Sequence, residues 1–331
     1  MIPVLYIVIP CYNEQEVLPE TSGRILKKLR GMMEAGLCSG DSRILFVDDG
    51  SRDNTWEMIS GYAAGDEHFE GLKLAHNRGH QNALLCGLMT VNGHCDAVIS
   101  MDADLQDDIE VLDQFMEKYL EGCEVVYGVR KARTTDTAFK RGTAQAYYKF
   151  MEILGTKVIY NHADYRLLGS RALDALSEYR EVNLFLRGLV TDIGYKTDVV
   201  YYDRAERFAG ESKYPLKKML ALAIQGITSF STKPLDMIFT MGCWITVLSV
   251  LVLIYALVAA LASLPGVFYA CLFGGMFLCC GLILLSMGVL SCYVGKIYAE
   301  TKARPRYRVE EWLRHEPDEK KGSAADPVSE K

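Results

Sequence analysis

The chain has 331 residues, 50% of them hydrophobic, and a formal net charge of −6. That length exceeds what a single catalytic domain of ordinary size requires, so a further part is expected, and no nucleic-acid partner is expected. Five of the ten cysteines fall in an apolar stretch near the end and the others show neither C-x-x-C pairing nor metal-ligand spacing, which speaks against a disulfide scaffold and for free thiols in a reducing cytosol.

The opening residues have no basic region before the apolar run and no small-residue cleavage site after it, so 4–9 reads as a strand and not as a signal peptide. Pro10-Cys11-Tyr12-Asn13-Glu14 follows, then a helix to about Met33 with Asn13 as its N-cap. Residues 43–47 form a second strand running into Asp48-Asp49-Gly50-Ser51, and Asp53 or Asn54 caps the next helix. A short third strand over 72–75 leads to Asn77-Arg78-Gly79-His80 and a helix over 81–89. The apolar run from Ala97 ends abruptly in Asp102-Ala103-Asp104-Leu105-Gln106-Asp107-Asp108. A helix over 109–121 and a fifth strand over 124–129 complete the pattern. Strands alternating with helices of this length imply a mostly parallel sheet with helices on both faces.

Glu14, Asp48, Asp49, Asp102 and Asp104 then lie at the carboxyl ends of strands, along the rim where open α/β sheets bind ligands. Two acids one residue apart there can hold a hard divalent cation against a diphosphate. A cap of the following helix is the other reading of the pair. There is no G-x-G-x-x-G after the first strand and no P-loop, so phosphates must be held through a metal and basic side chains.

Toward the end, residues 237–295 contain no charged residue and no histidine, enough for two membrane spans of roughly 20 residues each. The turn signal Leu264-Pro265-Gly266 divides them into spans over 237–262 and 267–294. A buried helical hairpin of a soluble protein is the alternative. Lys213, Lys217, Lys218 and Lys233 precede the spans, and Lys296, Lys302, Arg304, Arg306 and Arg308 follow them, which puts both termini in the cytoplasm. Residues 216–229 read as an amphipathic helix on the membrane surface, 298–313 as an interfacial segment, and 315–331 as a disordered tail.

Seven segments carry a family resemblance: Pro10-Cys11-Tyr12-Asn13-Glu14, Asp48-Asp49-Gly50-Ser51-Arg52-Asp53, Asn77-Arg78-Gly79, Asp102-Ala103-Asp104-Leu105-Gln106-Asp107, Asp164-Tyr165-Arg166-Leu167, Phe185-Leu186-Arg187-Gly188-Leu189 and Arg207-Phe208-Ala209-Gly210-Glu211-Ser212-Lys213-Tyr214. In this order the chain resembles a family 2 glycosyltransferase of the polyprenyl-phosphate type. The resemblance implies an α/β fold, a GT-A type Rossmann-like catalytic domain with a C-terminal two-helix transmembrane hairpin. Its parts would be a cytoplasmic domain over 1–214, juxtamembrane amphipathic helices over 215–236, two transmembrane helices over 237–295, and a cytoplasmic basic segment and tail over 296–331.

The same resemblance implies that Asp102, Asp104 and Gln106 bind Mg²⁺ or Mn²⁺ on the donor diphosphate. It places Pro10, Tyr12, Glu14, Asp48 and Asp49 at the nucleotide, with Asp102 and Ala103 beside them, although Tyr12 also suits ordinary packing. Asp104 and Asp164 become the catalytic candidates, Asp164 as a base or an orienting residue. Arg130, Arg141, Arg207 and Lys213 match positions that hold the acceptor phosphate, where Arg gives bidentate contacts; Gln145 departs from a Ser often found one turn after the Arg141 position. The loop around Gly210 and Ser212 is expected to act as a lid. The implied reaction is inverting transfer of a hexose, first of all glucose from UDP-glucose, to polyprenyl phosphate at the membrane by a homo-oligomer. Mannosyl or modified-sugar transfer is one alternative, and a non-catalytic membrane scaffold is another.

Overall fold

The computed structural model describes residues 2–131, 162–182, 184–203, 233–261 and 267–314. Their order is β1 (Leu5–Cys11), α1 (Leu18–Glu34), β2 (Arg43–Asp48), α2 (Thr55–Gly65), β3 (Phe69–Leu74), α3 (His80–Val91), β4 (Ala97–Ser100), a 3₁₀ turn (Ile109–Val111), α4 (Leu112–Leu120) and β5 (Val125–Arg130). After these come β6 (His162–Gly169), α5 (Ser170–Ser177), α6 (Leu186–Asp192), β7 (Thr197–Tyr202), α7 (Lys233–Leu261), α8 (Val267–Lys302) and β8 (Val309–Leu313).

The described strands form one sheet in the order β7-β5-β6-β4-β1-β2-β3-β8. β1, the central strand, is buried along its whole length, and its side chains alternate between two cores. Leu5, Ile7 and Ile9 join α1, α2 and α4 on one face, while Tyr6 and Val8 join α3, α5 and α6 on the other. Each such Leu, Ile or Val contributes about 1.5–3 kcal/mol of burial. On the second face α3 lies so close that a Cβ on Gly87 would come within 2.5 Å of Val8 and 2.7 Å of Val47. The missing side chain there lets the helix that begins at His80 press against β1 and β2.

The sheet is mixed rather than mostly parallel. β1, β2, β3 and β4 run parallel, but β6 lies antiparallel between β4 and β5, and β8 lies antiparallel on β3. Neither β6, β7 nor β8 stands out in the sequence. In β6 the polar Asp164 and Arg166 interrupt the apolar pattern, although both are buried. Val309–Leu313, within the segment expected at the membrane interface, instead completes the sheet, with Leu72 opposite Trp312.

Two details open the rim. β2 lies on one side of β1 and β4 on the other, so the chain reverses its direction of travel across the sheet at β1, a topological switch point. The β1–β4 ladder stops at Val8 and Ser100 while β1 runs on beside β2 to Cys11 and Asp48. Pro10, which has no N–H to donate, therefore sits where β1 has a neighbour on one side only.

Near the end, α8 supplies one stretch, Cys271–Lys302 with a mean hydropathy of 2.2, that is long and apolar enough to cross a membrane; it is the only such helix among the described residues. In α7 the apolar part that meets the same composition is the shorter Val250–Ala259. Large side chains on both helices stand exposed, Trp244 by 71% and Met276 by 60%. Arg141, Gln145, Arg207, Gly210, Ser212, Lys213, the amphipathic segment 216–229 and the tail 315–331 lie outside the described residues.

Candidate active site

The loops after β1 and β2 are laced together by short polar side chains. Asn13, expected as a helix cap, takes a left-handed conformation at φ 52°; its backbone N donates to Ser51 Oγ at 3.0 Å, and its side-chain Oδ1 accepts from Arg52 N at 2.9 Å. The helix begins later, at Leu18, with Pro19 in its first turn. Glu14 N donates to Thr55 Oγ1 at 2.9 Å and Gln15 N to Asp53 Oδ2 at 3.3 Å. Tyr12 and Glu14, both half-buried, thus sit in a fixed turn after β1, with Pro10 buried just before them.

Asp48 and Asp49 are both buried. Asp48 accepts from Ser51 N through both oxygens at 3.3 Å, and Asp49 takes Arg78 N at 2.7 Å and Gly79 N at 2.8 Å. Burial pushes both carboxyl groups up, against these hydrogen bonds. Asp49 therefore fastens the loop that leads to His80, and Gly50, at φ 67° with Asn77 N only 2.8 Å from where a Cβ would lie, lets the two loops approach.

After β4 the backbone turns sharply, with Leu105 at φ 56°. Thr21 Oγ1 on α1 donates to the Ala103 carbonyl at 2.8 Å, and Gln106 N donates to Asp104 Oδ1 at 3.2 Å. Ala103 is buried, whereas Asp102 keeps 39% of its side chain exposed and Asp104 and Gln106 are half-buried. Asp108 caps the 3₁₀ turn through Glu110 N. Asp107 turns inward to accept from the Tyr202 hydroxyl at 2.6 Å and Arg130 Nη2 at 3.4 Å. Burial, followed by the charge of Asp102, pushes the Asp107 pKa up to about 6 against the pull of Arg130 and Tyr202, with Asp104 adding to the rise.

On the other side of Asp102 lies a cluster that single-residue reasoning did not assemble. His80, the first residue of α3, has Nε2 at 3.5 Å from Asp102 Oδ1 and 3.7 Å from Asp164 Oδ2. Arg187 grips Asp164 with two nitrogens, at 3.2 and 3.0 Å, and Arg166 Nη2 donates to the same carboxylate. Burial would raise the Asp164 pKa, but Arg187, His80 and Arg166 outweigh it and hold the carboxyl well below the usual carboxylate range. Burial would likewise lower His80, yet Asp164 and Asp102 together push it up to about 9. Charged residues inside otherwise apolar segments, Arg166 and Arg187 among them, were the available signal.

The structure thus brings Asp102, Asp104, Gln106, Asp107 and Arg130 to one end of β4 and β5, with His80, Asp164 and Arg187 adjoining. Among the described residues no group of three or more His, Cys, Asp or Glu side chains is arranged to hold a metal by itself. Asp102 and Asp104 nevertheless suit a hard cation that completes its shell with phosphate oxygens: they offer carboxylate donors open to solvent, and their charge burdens Asp107.

The sequence matches the family model described as Glycosyl transferase family 2 over residues 6–176. It is 49% identical over 308 residues to the uncharacterized glycosyltransferase YkoT of Bacillus subtilis (strain 168), covering 93% of this chain and 91% of that one. It is 36% identical over 310 residues to the bactoprenol glucosyl transferase of Shigella phage SfX, covering 92% and 97%. Among solved structures, mannosyl-3-phosphoglycerate synthase from Rubrobacter xylanophilus aligns over 67% of this chain and 71% of its own at 14% identity, with a TM-score of 0.45 that is too low to carry weight.

Proposed function

We propose that this chain, which belongs to glycosyl transferase family 2, transfers glucose from UDP-glucose to a polyprenyl phosphate at the cytoplasmic face of a membrane, with inversion at the anomeric carbon. That it is a glycosyltransferase follows from the family and from relatives bearing that name, and this removes the non-catalytic scaffold. The GT-A-like mixed sheet supplies the frame. The observation that carries the finer reading is the rim itself, where Asp102, two residues before Asp104, lies beside His80, with Arg187 on the adjoining Asp164 and Arg130 on Asp107 adding positive charge. The choice of glucose and of a bactoprenol-like acceptor draws on the name of the phage relative.

In this reading Pro10, Tyr12, Glu14, Asp48 and Asp49 shape the nucleoside end of the crevice, Asp49 by fixing the loop before α3. Asp102, Asp104 and Gln106 would hold Mg²⁺ or Mn²⁺, which when bound offsets the charge of the departing nucleoside diphosphate. Ala103 keeps the backbone of the turn tight against α1. His80 and Arg187 add positive charge near that leaving group, and Arg130, with Arg141, Arg207 and Lys213 by the family resemblance, would bind the acceptor phosphate. An acceptor phosphate oxygen attacks the anomeric carbon as the bond to the diphosphate breaks, and the electron pair leaves with the nucleotide. A phosphomonoester has its second pKa near about 6, so the nucleophile is already largely a dianion at neutral pH. No strong base is needed, and Asp164, saturated by Arg187 and Arg166, serves to orient.

The uncharged stretch 237–295 supports two spans with both termini cytoplasmic, which bring the lipid acceptor to the catalytic domain. Purified protein incubated with labelled UDP-glucose, polyprenyl phosphate and Mg²⁺ is expected to form a labelled glycolipid, and GDP-mannose is expected not to replace the donor. Formation of glycolipid from GDP-mannose alone would shift the reading to mannosyl transfer, and none from any nucleotide sugar would end it.

A further inference from the structure

The end of α8 is tied to the catalytic domain at more than its covalent link. Glu300, in the last turns of α8 and beyond the uncharged stretch, accepts from Val182 N at 2.8 Å. Arg306, in the short connection to β8, donates through Nη2 to the Tyr179 carbonyl at 3.1 Å. Both partners lie within 178–182, just after α5, more than a hundred residues away in sequence. The connection is fixed at its far end as well: Ala75 N donates to the Arg308 carbonyl at 3.0 Å, and Trp312 Nε1 to Glu70 Oε2 at 3.2 Å.

The same segment precedes α6 and Arg187. Leu186 N donates to Gln81 Oε1 at 3.0 Å, and Arg187 closes on Asp164, which adjoins His80 and through it Asp102. A loop outside any ladder owes its conformation to such tethers, because it has few backbone bonds of its own. Val182 lies only five residues before Arg187.

We infer that Glu300 and Arg306 are positioning residues, holding the backbone at Tyr179 and Val182 ahead of α6 so that Arg187 stays on Asp164 and making the cytoplasmic end of the membrane helix part of the active-site scaffold. The inference rests on the reading of His80, Asp164 and Arg187 as part of the transferase site. Glu300→Ala, Glu300→Gln and Arg306→Ala in the full-length protein, reconstituted in lipid nanodiscs, test it by hydrogen exchange over 182–189 and by steady-state transfer. Glu300→Ala and Arg306→Ala should speed exchange in that segment and lower kcat about tenfold while leaving the donor KM within about twofold, as expected when a group near the chemistry is misplaced. Glu300→Gln should match the wild type in both readouts, since its amide oxygen still accepts from Val182 N. Unchanged exchange in both alanine variants, unchanged kcat, or a Gln variant as impaired as the Ala variant would each overturn the inference. If the wild type forms no glycolipid, the functional reading fails, and the exchange measurement still decides on the tether by itself.

Discussion

Asp164 illustrates how the partners of a buried carboxylate bear on its role. A general base needs a free lone pair and a pKa near the working pH, whereas this group is held ionised by two guanidinium groups and an adjoining imidazole. Removing one partner from a buried ion pair leaves the others uncompensated, so Asp164→Asn should cost about 3–5 kcal/mol of folding stability, measured by denaturant unfolding. A base would instead lose turnover with the fold intact. The pH dependence has a definite sign. With the folded pKa depressed, the contribution of Asp164 is fully present above the unfolded value of about 3.9 and is lost as pH falls through the folded pKa. Wild-type and Asp164→Asn melting temperatures should therefore converge in acid and differ at neutral pH. In the sequence, Asp102 and Asp104 were legible because acids directly after an apolar run have no place in a buried strand. The partnership of His80, Asp164, Arg166 and Arg187 was not, because it joins three separate elements and only the folded sheet brings them within reach.

Among the elements, β1 to β5 and the helices between them announce themselves through apolar runs and period, with bounds that differ by a few residues; β3, for instance, begins at Phe69 rather than Leu72. β6 is hidden by its buried polar pair, and β8 by Glu310 and Glu311, whose exposure suits an edge strand. What holds β8 is a buried acid on β3: Glu70 is 1% exposed and takes hydrogen bonds from the Tyr6 hydroxyl and Trp312 Nε1, each at 3.2 Å. Trp312→Phe keeps the ring's bulk but leaves one Glu70 oxygen without its donor, and should cost about 1–3 kcal/mol. A change within error of zero in urea unfolding would show that water reaches Glu70 freely. The same substitution should loosen the far anchor of the connection that carries Arg306.

At the scale of the molecule, one sheet meets both a polar rim and a long apolar helix. Its central strands carry the polar rim, and its β8 edge receives the chain directly from α8, whose apolar length suits a bilayer core of roughly 30 Å. If the spans cross the membrane, washing isolated membranes with high salt or alkaline carbonate should leave the protein in the pellet, and detergent should release it; release by salt alone would mean surface attachment through charge. A transferase whose acceptor is lipid-borne gains from this short link, because acceptor and rim are then held at a fixed height from each other. The most direct test of the whole account is the rate of labelled glucosyl-lipid formation by wild type and Asp104→Asn measured side by side over a Mg²⁺ titration. The account predicts transfer by the wild type, and loss of about a hundredfold or more in Asp104→Asn with its circular dichroism unchanged. Equal rates in the two proteins at saturating Mg²⁺ would contradict it.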